Sequence, residues 1–282
     1  MHIARTVPDF RALRPALDGP VGLVPTMGAL HEGHRSLIRR AREDCASVVV
    51  SIFVNPTQFG PNDDYTQYPR TEADDLAACR DEGVTAVLMP AVADIYPEGA
   101  TTTVSTGALS TVLEGAARPG HFDGVATVVT KLFSIVQPDR AYFGQKDAQQ
   151  VLVIRRLVRD LLLPVEVVAC PTVREEGGLA RSSRNVYLTD EERMQALALS
   201  RGLRRAEAAW SDGVRDASAL RALVHAEIAA QPLARIDYVS LADADGLAEC
   251  EGQVRRDALL SLAVRFGRAR LIDNTVLRVS SD

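Results

Sequence analysis

Hydrophobic positions along the chain follow two rhythms. Short apolar runs at Val21 to Val24, Ser47 to Val54, Val84 to Met89, Arg140 to Phe143 and Val165 to Ala169 predict strands, the first two buried on both faces. Between them, Gly33 to Ala46 places Leu37, Ile38, Ala41 and Cys45 at helical spacing. Thr71 to Glu82 reads as a helix with Thr71 as N-cap and Gly83 as stop, and Gly124 to Val136 and Ala148 to Leu163 as two more. Strands alternating with helices predict a parallel sheet wound by right-handed crossovers. Asn55 to Arg70 has three prolines and no period, which predicts a long loop of the kind that carries function.

After Glu175-Glu176-Gly177-Gly178 the pattern changes. Asp190 to Trp210 and Ala217 to Ala230 read as helices, and Ile236 to Leu241, Ala258 to Phe266 and Arg270 to Ile272 as grouped strands. The expected organisation is an α/β domain over 1–174 and a smaller α+β domain over 175–282, with the glycine pair as hinge.

The 282 residues are 46% apolar and 24% charged, which fits a packed domain and excludes a disordered chain. A net charge of −5 and only 5% aromatic residues argue against nucleic acid or an anionic membrane as partner. The apolar run Val48 to Val54 is too short to span a bilayer, and Met1-His2-Ile3-Ala4-Arg5 has no signal-peptide character. Cysteines at 45, 79, 170 and 250 form no Cys-x-x-Cys pair, so idle thiols in a reducing cytoplasm are expected. Of the 32 cations only Lys131 and Lys146 are lysines. In so arginine-rich a chain, those two mark places where a compact point charge serves.

Candidate chemistry gathers at turns. Pro25 to His34 runs from the first strand into the first helix and holds His31 and His34 with Gly33 between. A helix N-terminus offers N–H groups and a positive dipole end, so this turn suits a nucleotide phosphate. Gln58 follows the C-terminal end of the next strand, where open α/β sheets bind ligands. Gly144-Gln145-Lys146-Asp147 again links strand to helix. Lys146 there can neutralise phosphate, Asp147 can cap the helix, and Gln150 lies one turn on, on the same side as Lys146 if the helix is regular. Arg181-Ser182-Ser183-Arg184 is either an oxyanion clamp or a capped turn. Arg118, His121 and Lys131 receive no role. Nothing in the sequence gives a metal-ligand set.

Taken together, PTMGALHEGH at 25–34, SIFVNPTQFG at 51–60, YPRT at 68–71, LEGAARPGHFDGVATVVTKLF at 113–133, QPDRAYFGQKDAQQ at 137–150 and SSRN at 182–185 resemble the pantothenate synthetases, the pantoate–β-alanine ligases. His-x-Gly-His alone marks only the wider nucleotidyltransferase superfamily. A nucleotidylyltransferase of that superfamily is the alternative. The resemblance implies a Rossmann-like first domain, a smaller C-terminal lid and usually a homodimer. It implies ATP, accompanied by Mg²⁺, activating (R)-pantoate as an adenylate that β-alanine then attacks. By matching position it implies an ATP site of Met27, Gly28, Ala29, Leu30, His31, Glu32, Gly33, His34, Gly144, Gln145, Lys146, Asp147, Val173, Ser182, Ser183 and Arg184, joined by Arg181 as a further candidate. Its implied proton donor is His34, with His31 and Lys146 assisting, and Gln58 and Gln150 hold pantoate. Arg181 departs from the family's usual Met.

Overall fold

The computed structural model describes residues 1–60 and 65–279. The chain divides into two compact units, Met1–Pro171 and Thr172–Asp282. In the first unit β1 (His2–Ala4) leads into α1 (Val7–Leu13), then β2 (Val21–Thr26), α2 (Glu32–Asp44) and β3 (Ser47–Ile52). There follow α3 (Glu72–Asp81), β4 (Ala86–Leu88), α4 (Val92–Ile95), α5 (Glu114–Ala117), α6 (His121–Val136), β5 (Arg140–Gly144), α7 (Ala148–Asp160) and β6 (Glu166–Cys170). The centre of the expected loop over 55–70, residues 61–64, lies outside the described residues.

The six strands form one parallel sheet in the order β1-β4-β3-β2-β5-β6. Successive residues of a strand alternate between its two faces. Leu23 and Val49 join a core with Phe133, Val136 and Ile154 on one face. Val24, Val48 and Val50 join Leu37, Ile38 and Leu76 on the other. Helices cover both faces, which is why β2 and β3 read as unbroken apolar runs.

The strand order reverses direction between β2 and β5, the switch point at which such sheets bind ligands. Pairing there is confined to Gly22–Arg140 and Leu23–Ala141, whereas β2 pairs with β3 along its whole length. Proline supplies a reason. Val21 O accepts from Asp139 N on the β5 side, and Thr26 O accepts from Phe53 N on the β3 side. By alternation Val21, Leu23 and Pro25 point their backbone groups at β5. Pro25 has no N–H to donate, so the ladder stops short of it. The two strands therefore part where both turn into helices.

In the second unit α8 (Asp190–Ser211) and α9 (Ala217–Ala229) pack on an antiparallel sheet of β7 (Ala234–Asp243), β8 (Ala258–Phe266) and β9 (Ala269–Leu277), in that order. Leu199, Leu203, Leu220, Val224, Leu260 and Phe266 fill its core. The glycine pair does not mark the division between units. Arg174 pairs with Ala180, and Gly177 and Gly178 turn the chain between them at φ +92° and +104°. Arg174 Nη1 lies 2.6 Å from Asp273 Oδ2, which ties this hairpin to β9. A bonded hairpin inside one unit is a poor hinge, because bending there breaks its contacts. No helix among the described residues is long and apolar enough to cross a membrane.

Candidate active site

The turn from β2 to α2 is built around Asp75, a buried carboxylate on α3. Its Oδ2 accepts from Ala29 N at 3.0 Å and its Oδ1 from Leu30 N at 2.7 Å. Ala29 has φ +51° and Gly28 φ +84°, so the turn is left-handed there. A Cβ at Gly28 would stand 2.9 Å from Asp75 Oδ2, so glycine is needed twice over. Gly28 N itself is taken by Thr26 Oγ1 at 3.2 Å.

His31 caps α2. Its Nδ1 accepts from Gly33 N at 3.1 Å, and His34 Nδ1 accepts from His31 N at 3.3 Å. The amides of His34 and Arg35 bond to His31 O. The expectation of open amides at this helix start is corrected for His31, Gly33, His34 and Arg35, whose amides are taken by side chains and the first turn. What the turn offers instead is imidazole. With Nδ1 accepting, each neutral ring carries its proton on Nε2. Gly33 lets the His31 ring lie close, since a Cβ there would fall 2.8 Å from His31 Cε1. Burial, then the charge on His31, push the His34 pKa down to about 3, so His34 is neutral at ordinary pH.

Across the split, β5 ends in the turn Gln145–Asp147. Lys146 Nζ lies 3.4 Å from Asp147 Oδ1. β2 and β5 are neighbours in a parallel sheet, so the turns that follow them lie at the same end of it, and both charges act on His34, Asp147 raising and Lys146 lowering its pKa. Lys146 sits in a 3-10 turn ahead of α7, so it and Gln150 do not share one regular helix as expected. Asp147 occupies the N-cap of α7 but makes no side-chain cap bond. Gln150 is half-buried on α7. Its neighbour Gln149 is buried and pins the 109–114 segment through Leu109 O, Val112 O and Glu114 N.

Gln58 has a fixed amide direction. Asn55 is buried, and its Nδ2 donates to Gly124 O at 3.1 Å and to Gln58 Oε1 at 3.0 Å. A carbonyl only accepts, so the Asn55 amide cannot be flipped. Tyr96 Oη donates to Asn55 Oδ1 at 2.8 Å, and Lys131 Nζ stands 4.3 Å from the Tyr96 ring centre. Gln58 therefore turns its Nε2 away from Asn55, toward Met27 Sδ at 3.3 Å. A neutral N–H donor faces the β2–α2 turn.

In the second unit Arg181 N donates to Val173 O at 2.8 Å and the Arg181 residue is exposed. Ser182 Oγ accepts from Arg184 N at 3.3 Å, so Ser182 caps the turn Ser183–Tyr187. Glu32 forms a surface ion pair with Arg39. Among the described residues no group of three or more His, Cys, Asp or Glu side chains is placed to hold a metal.

A profile described as Pantoate-beta-alanine ligase matches residues 2–276. The chain belongs to the pantoate–beta-alanine ligase family. Membership agrees with relatives named pantothenate synthetase. One from Roseiflexus sp. (strain RS-1) is 58% identical, covering 98% of this chain and 99% of the relative. Another, from Chloroflexus aurantiacus (strain ATCC 29366 / DSM 635 / J-10-fl), is 56% identical over 98% of each chain. The solved pantothenate synthetase of Thermus thermophilus superposes with a TM-score of 0.93 at 47% identity, over 99% of this chain and 100% of that one. The pantoate–beta-alanine ligase of Francisella tularensis, solved with beta-gamma ATP and beta-alanine, gives 0.78 at 35% identity over 99% of each chain. Within this ligase family frame, the residues that sequence reasoning missed are Asp75 and Asn55. Asp75 holds Ala29 and Leu30, and Asn55 holds Gln58, all three of them residues expected at the site.

Proposed function

We propose that the chain joins (R)-pantoate to β-alanine at the expense of ATP, through a pantoyl adenylate. The pantoate carboxylate oxygen forms a bond to the α-phosphorus as the bond to pyrophosphate breaks. The β-alanine nitrogen then bonds to the acyl carbon, the acyl–oxygen bond to AMP breaks, and the nitrogen loses a proton. The observation that carries this reading is the stacked His31–His34 pair opposite Lys146 at the split between β2 and β5. Two Nε2–H donors and one ammonium suit the charge that develops on a departing pyrophosphate.

His34 acts first as a hydrogen-bond donor, and the polyphosphate's negative charge raises its pKa toward proton donation. Met27 to Leu30 and Gly144 to Asp147 line the nucleotide. Val173 and Arg181 to Arg184 are assigned to ATP by resemblance to the family. The Gln58 Nε2–H₂ group, together with Gln150, orients pantoate without neutralising its carboxylate, which must remain nucleophilic. Mg²⁺ bound to the ATP phosphates would screen their charge. The second unit serves as a lid that keeps water from the adenylate. The working form is a homodimer in the cytoplasm.

Labelled pyrophosphate exchange tests the order of steps. Exchange into ATP is expected with pantoate alone, and steady AMP formation only once β-alanine is added. Exchange that requires β-alanine would rule out a free-standing first step. A product that retains the nucleotide would point to a nucleotidylyltransferase.

A further inference from the structure

Arg118 and His121 stand at the approach to α6, and the reading above gives them no task. The backbone oxygen of Gln58 accepts from Arg118 Nη2 at 3.2 Å and from His121 Nδ1 at 2.8 Å. Arg118 Nη1 lies 3.3 Å from His121 Nε2. A carbonyl only accepts and a guanidinium only donates, so His121 must carry its proton on Nδ1 and accept at Nε2. Arg118 thus fixes the one tautomer that can bond to Gln58.

The start of α6 grips the same loop sterically. A Cβ at Gly124 would fall 2.4 Å from Thr57 O and 2.7 Å from Gln58 N. Gly124 O also holds Asn55, which holds the Gln58 side-chain oxygen. Both oxygens of Gln58 are therefore tied, directly or through Asn55, to residues 118–124. The side-chain nitrogen, 3.3 Å from Met27 Sδ, points away from them toward the β2–α2 turn.

We propose that Arg118 and His121 are positioning residues for the carboxylate substrate, locking the Gln58 backbone so that its Nε2–H₂ group is aimed at pantoate. The proposal rests on Gln58 as the pantoate donor. What the two residues share is the Gln58 backbone oxygen. Each acts through Gln58, so its loss should weaken pantoate binding and spare ATP.

The test compares Gln58→Ala, His121→Phe, His121→Asn and Arg118→Met in pyrophosphate exchange, with KM for pantoate and ATP read separately. His121→Phe and Arg118→Met are expected to raise pantoate KM about tenfold or more and to leave ATP KM within about threefold. His121→Asn, whose side-chain N–H replaces that on Nδ1, is expected to return pantoate KM to within about threefold of wild type. In a Gln58→Ala background, His121→Phe should add little, because the group it positions is gone. Wild-type pantoate KM in His121→Phe, alongside a raised value in Gln58→Ala, overturns the proposal alone. His121→Asn as impaired as His121→Phe also overturns it. An unchanged pantoate KM in Gln58→Ala removes the Gln58 assignment, and the proposal with it. If His121→Phe does not fold, Arg118→Met carries the same comparison.

Discussion

The imidazoles of His31 and His34 lie stacked, ring centroids 4.1 Å apart and planes 29° from parallel, each with a backbone amide on its Nδ1. One atom of each ring belongs to the helix cap and the other is directed by it. The cap sets the tautomer, and the tautomer makes each ring a donor at Nε2.

Substitution at His34 can separate these duties. Asn retains an oxygen able to accept from His31 N but has no group where Nε2 stood. His34→Asn is therefore expected to melt near wild type yet lose about 100- to 1,000-fold in pyrophosphate exchange, the same loss expected of His34→Ala. His34→Gln, with a nitrogen near the Nε2 position, should keep more activity. Exchange at wild-type rate in His34→Asn would strike His34 from the catalytic residues.

Stability should fall as the solution is acidified. The His34 pKa is pushed down to about 3 and that of His121 to about 4, in both cases chiefly by burial, while unfolded histidine titrates near 6.5. Between those values the unfolded chain binds more protons, so stability rises with pH across the window and is level above it. The difference in urea midpoint between wild type and His121→Asn should change between pH 4 and pH 6.5 and be constant above pH 7. A difference that is flat throughout would mean that His121 titrates normally.

Asp75→Asn is nearly isosteric but places an NH₂ against one of two backbone N–H groups. A lost or mismatched buried hydrogen bond costs about 1–3 kcal/mol. The Gly28–Leu30 turn should loosen, and ATP KM is expected to rise about tenfold while pantoate KM moves little. Steady-state kinetics with each substrate varied in turn decides this. Equal changes in both values would indicate general loosening of the fold.

Gln58→Glu keeps the oxygen that Asn55 holds and replaces the outward nitrogen with a second oxygen. A carboxylate there repels the pantoate carboxylate in a partly buried site. Pantoate KM should rise well above that of Gln58→Ala, and more so as pH rises through the glutamate's titration. An ordinary pantoate KM from pH 6 to 9 would contradict the placement of Gln58.

Much of this architecture was legible in the chain because strands such as Val21–Val24 and Ser47–Ile52 are buried on both faces and carry the pattern for it. β1 and α1 escaped, being short and interrupted by Pro8, and the segment over 90–120 holds only brief turns. Asp75 reads in sequence as one more acid in the first turn of a helix, a solvated position by pattern. Only the path of the β2–α2 turn over α3 buries it. The amides at the start of α2 were misread for a similar reason: a histidine is seldom the cap, and nothing in the spacing says that two of them fold back on their own helix. Arg118 and His121 lie within a recognisable motif, but their shared acceptor is 60 and 63 residues away in the chain.

The early end of the β2–β5 ladder at Pro25 leaves the sheet with an internal edge. Beyond the Leu23–Ala141 pair, Pro25 on β2 and Gly144 on β5 face one another without ladder pairing. An ordinary edge lies at the rim of a sheet and invites another strand. This one is roofed by helices on both faces and opens only at its end, so an extended chain cannot zip along it. A single imino acid thus ends the pairing of two neighbouring strands early, and it does so whatever side chains the two following turns carry.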